Sequence, residues 1–218
     1  MARRALSRSP EAVLADPDVP DFRQERARRS YQALLEAAAE LFAQQGYDSV
    51  GTPEIAQKAG VSVGTFYRYF DDKHEVYLEI IRRMMVTAYK ETIEALTPER
   101  FVGLARHETI YQGVGILFEH VLSQPQLTRS FMEMSLRDPQ VAELRRAFDQ
   151  LASQKLAKLI ELITTREHVP DPDAFAYVLY GCAMQCAYGL AVHLVPTAID
   201  RDRAHAALTA FIERALFP

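Results

Sequence analysis

Between Arg23 and Gln45 the apolar residues Tyr31, Leu34, Leu35, Ala38, Leu41 and Phe42 fall three and four positions apart. That spacing puts them on one face of a helix, and Gly46 follows where a helix can end on a left-handed residue. A second, short helix is expected from Thr52-Pro53, with proline pre-set for the first turn and Ile55, Ala56 and Ala59 turned inward. Gly60 closes it. After Val61-Ser62 the pattern predicts a third helix over 63–70, and Asp71-Asp72 opens a long one running to about residue 95. Beyond Pro98 five further helical patterns follow, over 98–122, 125–136, 139–165, 172 to about 195, and 200–216. Most begin at a proline, and no stretch alternates with the period of two that a strand needs. The expected fold class is all-α. A small N-terminal group of three helices, in helix-turn-helix order, is linked by a long helix to a C-terminal helical bundle.

Two short helices joined by Ala59-Gly60-Val61-Ser62 suit an arrangement in which one braces on a DNA backbone while the next enters the major groove. On the second helix Phe66 and Phe70 lie four apart and face the core, so Gly64, Thr65, Tyr67 and Arg68 face outward. Gly64 allows close backbone approach, and the methyl groups of Val63 and Thr65 suit the C5-methyl of thymine. Tyr67 and Tyr69 carry hydroxyls on rigid arms fitted to phosphates, and Arg68 is a cation on the same helix. Thr52, Ser62 and Lys73, at helix starts, complete the expected DNA-contacting set.

From Thr52 to Glu75 the residues Thr52-x-x-Ile55-Ala56-x-x-Ala59-Gly60-Val61-Ser62-Val63-Gly64-Thr65-Phe66-Tyr67-Arg68-Tyr69-Phe70-x-x-Lys73-x-Glu75 resemble the pattern of the TetR/AcrR family. The resemblance extends from about Phe22 to Met84. It implies a dimeric transcriptional regulator, most often a repressor, whose C-terminal domain binds a small ligand and dimerises. Histidine is the commonest family residue at the place of Tyr69, and tyrosine keeps a phosphate-capable donor there. The expected division is an arm over 1–21, a DNA-binding domain over 22–84 and a ligand-binding and dimerisation domain over 85–218. The arm mixes Arg3, Arg4 and Arg8 with later acidic residues and has too few apolar residues for a core. Its basic start could reach a minor groove.

Charge neither helps nor hinders this reading. The chain carries 25 Lys and Arg against 29 Asp and Glu, a net charge of −4. Residues 22–73 hold seven of each sign, so DNA binding must depend on where the cations sit. The six histidines are scattered without metal-ligand spacing or a partner nucleophile, so no enzyme, metal or cofactor is expected. No uninterrupted apolar run reaches membrane-spanning length and the start lacks the apolar core of a signal peptide, which leads to an expected cytoplasmic location.

Aromatic and sulfur side chains crowd the C-terminal half. Phe101, Tyr111, Phe118, Phe131, Met134, Phe148, Tyr177, Tyr180 and Met184 are candidates to line a pocket for an apolar or aromatic effector. Phe175, Cys182, Cys186 and Gly189 on one helix, with Leu208, Phe211 and Ile212 on the last, form apolar or small-residue stripes expected at a homodimer interface. The two cysteines, four apart on one helix, read as packing and not as a disulfide. The expected partners are a palindromic double-stranded operator, a small effector and a second copy. The alternative is a small-molecule binder whose DNA head is vestigial.

Overall fold

The computed structural model describes residues 10–14, 25–102, 105–192 and 199–217. Among them it holds α1 (Pro10–Leu14), α2 (Glu25–Gln45), α3 (Thr52–Lys58), α4 (Val63–Tyr69), α5 (Lys73–Tyr89), α6 (Ala105–Ser123), α7 (Pro125–Arg137), α8 (Pro139–Ile163), α9 (Pro172–Val192) and α10 (Arg201–Leu216). No strand is present among the described residues.

Local chemistry sets most of these boundaries. Gly46 and Gly60 take positive φ, 78° and 67°, so each ends a helix in a conformation that costs other residues strain. Asp72 caps α5 by accepting from the Glu75 N–H, Asp138 caps α8 through Gln140 and Val141, and Asp200 caps α10 through Arg203. Two helices differ from expectation. The helix from Asp72 runs regularly only to Tyr89 and continues as a π turn over Lys90–Glu94. The expected helix over 98–122 is interrupted: Pro98–Phe101 is a 3-10 turn, and α6 starts at Ala105.

One core begins at Leu34, Phe42 and Ile55 in the first helices, passes through the fully buried Tyr77 of α5, and continues to Phe131 of α7 and Val141 of α8. The N-terminal helices therefore share their interior with the bundle. A second core packs α6 against α9 and α10 around Phe118, Ala187 and Leu208. A third joins α8, α9 and α10 at Ile160, Ala176 and Leu216.

The expected arm does not hold over Pro10–Leu14. These residues form α1, which packs on α8, with Leu14 buried and Val13 against the same core. The Leu14 side chain gains about 2 kcal/mol on leaving water, which favours docking of α1 on α8. Arg3, Arg4 and Arg8 lie outside the described residues.

By length and composition α9 is apolar enough to cross a membrane, although polar residues interrupt its apolar run. In this fold Ala176, Leu179, Ala187 and Ala191 turn its inner face into the bundle.

Candidate nucleic-acid interface and ligand cavity

The turn between α3 and α4 fixes the rotation of α4. Ser62 Oγ accepts from the Thr65 N–H at 3.1 Å and lies 2.9 Å from Thr65 Oγ1, while Phe66 and Phe70 are buried beneath the helix. Val63, Gly64, Tyr67 and Arg68 are consequently exposed on the other side, with Thr65 half-buried at the margin. Arg68 forms no ion pair among the described residues. Thr52, the first residue of α3, holds its Oγ1 3.0 Å from the Tyr67 hydroxyl, so two helices present hydroxyls at one edge of this face.

Two residues of the expected DNA-contacting set are placed differently. Tyr69 is half-buried and meets Tyr31 of α2 edge-on, with ring centroids 5.8 Å apart. Lys73 points inward. Its Nζ donates to the carbonyl oxygens of Tyr47 at 2.9 Å, Asp48 at 3.1 Å and Val50 at 2.9 Å, and lies 4.6 Å from the centroid of the Tyr47 ring. An ammonium has three N–H donors, and all three are used within the chain. The sequence shows a lysine at a helix start; its target, more than twenty residues upstream, is a tertiary contact.

Inside the bundle lies a cavity of about 160 Å³ walled by α5 and its π turn, α6, α7, α8, α9 and α10. Of the candidate pocket residues, Phe101, Phe131, Phe148, Tyr180 and Met184 line it. Phe118 and Met134 are buried in the flanking cores instead. Tyr111 is exposed and packs on His205, 4.1 Å between centroids, and Tyr177 is 73% exposed on the outer side of α9. Both are corrections. Each sits on the outward face of its helix, which an aromatic count along the chain does not distinguish from the inward one.

One part of the cavity wall carries a charged cluster, of which Arg145 and Asp149 escaped the sequence reading. Tyr180 donates to Asp149 Oδ1 at 2.7 Å, Arg145 Nε lies 3.7 Å from Asp149 Oδ2, and the guanidinium stands 5.8 Å from the Tyr188 ring centroid. Burial pushes the Asp149 carboxyl above its ordinary value, against the Tyr180 hydrogen bond and the Arg145 charge. Burial also drives the Tyr188 phenol up to about 12. The available signal was an Arg and Asp four apart on α8, a spacing that more often marks an exposed pair.

The expected dimer residues divide. Leu208 is buried at 4% against α6, and Ile212 packs on two cores and lines the cavity, so both serve the protomer's own interior. Phe175 is half-buried against the third core and Cys182 and Gly189 are half-buried. Cys186 and Phe211 are exposed, as are Tyr177 and Val178 of α9. Both cysteines are free.

Residues 34–80, covering most of α2, all of α3 and α4 and the start of α5, match the family model of bacterial regulatory proteins, tetR family. These residues carry a TetR-family N-terminal domain. A curated relative, the HTH-type transcriptional activator FasR of Mycolicibacterium smegmatis, is 32% identical over 107 residues, covering 43% of this chain and 48% of the relative. The chain thus spans about half the length of that relative. Among solved structures, a putative TetR-family regulator from Mesorhizobium loti superposes with a TM-score of 0.67 at 21% identity, covering 88% of this chain and 98% of the other. A putative transcriptional regulator from Saccharomonospora viridis, in complex with choline, gives 0.64 at 21% identity over 85% and 96%. These likenesses show that the chain shares the fold of those proteins.

Three polar contacts lock the TetR head to the bundle. Arg137 at the end of α7 donates to Asp48 Oδ2 at 2.8 Å, in the loop that Lys73 also holds. His74 Nε2 lies 3.0 Å from Asp138 Oδ2. The Tyr77 hydroxyl, buried, lies 3.2 Å from Ser130 Oγ on α7. The same helix contributes Thr128 and Phe131 to the cavity wall, so α7 touches both the cavity and the head.

Proposed function

We propose that the chain is a cytoplasmic, ligand-responsive repressor that binds a palindromic operator as a homodimer and is released by a small, largely apolar effector held in the bundle cavity. The observation that carries the DNA reading is the α4 face itself: Val63, Gly64, Tyr67 and Arg68 are exposed together beside Thr52 while Phe66 and Phe70 anchor the helix from below. Buried anchors and exposed small, methyl-bearing, hydroxyl and cationic groups suit a helix that enters a major groove. A recognition helix of two turns reads few base pairs, so affinity needs two heads, and a two-fold axis would require a palindrome. The uncovered surface of α9 and α10 with Tyr177, Val178, Cys186 and Phe211 supports pairing of two copies there.

A cavity lined by aliphatic, aromatic and methionine side chains supports an apolar effector. The Saccharomonospora viridis neighbour is a complex with choline, so a related fold holds a small molecule. The test is selection of DNA fragments by the purified chain, followed by anisotropy titration of the selected site and a promoter reporter. Enrichment of an inverted repeat that Arg68→Ala fails to bind supports the reading. Failure to enrich any sequence would leave the alternative of a ligand binder with a vestigial head.

A further inference from the structure

The wall of the cavity is long. On α8 its lining residues run from Arg145 to Ile163, about 27 Å along a helix that rises ~1.5 Å per residue. Yet the space inside holds on the order of ten waters. We read so small a volume along so long a wall as a narrow channel. Its sides are apolar, with Leu156, Leu159, Ile160 and Ile163 of α8 facing Leu117 of α6 and Met184 of α9.

Most polar groups along the channel are already committed. The hydroxyls of Thr92, Thr109 and Thr128 donate to backbone carbonyls at 2.5 to 3.0 Å, and His120 Nε2 lies 2.7 Å from Glu91. The exception is the cluster on α8 and α9. Arg145 spends Nη1 on Ser135 Oγ at 3.0 Å and reaches Asp149 only at 3.7 Å, leaving further N–H donors unspent. The Tyr188 hydroxyl makes no hydrogen bond among the described residues. Unspent donors beside a narrow apolar channel ask for an oxygen acceptor at the end of a chain.

Building on the effector role of this cavity, we propose that its ligand is a single-chain alkyl carboxylate of medium length, the chain lying along α8 and the carboxylate received by Arg145 and Tyr188. Since a methylene and a water are of similar size, the channel takes a chain of on the order of ten carbons. Asp149 stands in the same cluster, one oxygen accepting from Tyr180 and the other 3.7 Å from Arg145, so an incoming carboxylate shares the guanidinium with it. Gly113 lines the channel, and a Cβ built there meets only the Leu96 Cδ2, at 3.9 Å, so a larger side chain at that position can enter the ligand's space.

The full chain is titrated calorimetrically with octanoate, decanoate, laurate, myristate and palmitate, and with dodecanol, dodecylamine and naphthalene as controls for head group and shape. Affinity should rise roughly fourfold per methylene from octanoate to laurate and then stop rising. Arg145→Gln should weaken laurate at least about tenfold while leaving dodecanol unchanged, and Tyr188→Phe, which removes one hydroxyl, should weaken it severalfold. Gly113→Leu should cost laurate more than octanoate. Affinity independent of chain length, or naphthalene binding best and releasing the selected DNA, overturns the chain assignment but leaves the effector cavity standing. Dodecylamine binding best, or laurate affinity untouched in both head-group variants, overturns the carboxylate. If no compound of any shape binds, the effector role of the cavity falls as well.

Discussion

The Lys73 ammonium donates to the Val50 carbonyl at 2.9 Å, tying the first turn of α5 to the segment that enters α3. With Tyr47 and Asp48 as its other acceptors, Lys73 acts as a clasp for the loop between α2 and α3. Lys73→Met should therefore lower thermal stability by about 2 kcal/mol, since three carbonyls lose a charged donor. Operator affinity would fall with it, but the slope of log affinity against log salt should stay nearly constant. A slope reduced by a full unit would show that Lys73 turns outward to a phosphate on binding.

Arg68 gives the opposite signature. Exposed and unpaired among the described residues, it is free to neutralise a phosphate or reach a guanine. Arg68→Ala should leave the melting temperature unchanged and, where the contact is a phosphate, cut the salt slope by about 0.9. A base contact would instead relax sequence preference at one position, which selection on the variant reads directly.

Leu208 and Phe211 lie three residues apart on α10 and should respond differently to the same change. Leu208→Glu places a charge in the core against α6, and far-ultraviolet circular dichroism should report loss of folded protein. Phe211→Glu alters a residue 48% exposed in the protomer, so helical content should persist while light scattering reports monomers. A Phe211→Glu variant that remains dimeric would move the interface away from this surface.

Asp138 caps α8 and meets His74 of the head. Burial works to raise its carboxyl, but the N–H groups of Val141 and Gln140 and the His74 ring together hold it below the ordinary value. A carboxyl depressed by folding contributes stability above its unfolded value of about 3.9 and loses it as pH falls through the folded value. Asp138→Ala should cost about 1 kcal/mol at neutral pH. In urea titrations the gap between variant and wild type should close below about pH 4, and a gap that persists there would assign the loss to packing.

Removal of residues 1–14 should destabilise the chain by about 2 kcal/mol through loss of Leu14 burial on α8. Urea unfolding of the shortened chain checks this, and an unchanged midpoint would show that α1 contributes nothing in solution.

Much of the helical order was legible because prolines, aspartates and glycines at helix ends act locally, as at Gly60, Asp72 and Asp138. The outward face of α4 was legible for a similar reason, since Phe66 and Phe70 four apart define its inward face. What escaped was decided by contacts distant in sequence. Lys73 turns inward because three carbonyls of the loop before α3 face it. On α10 the spacing of three and four does not separate Leu208 from Phe211, and only the position of α6 makes one of them interior. Arg145 and Asp149 carry the spacing of a surface pair, and α9 packing across them turns that pair toward the cavity.

Pairing of two copies on the uncovered side of α9 would tie the protein's persistence to its abundance. In the homodimer proposed above, that outer side is sheltered only while a second copy is bound, so by mass action the melting temperature should climb with protein concentration. Differential scanning at increasing protein concentrations would display that climb. At low copy number separated protomers would present Tyr177, Val178 and Phe211 to solvent and become the form most open to proteolysis and aggregation.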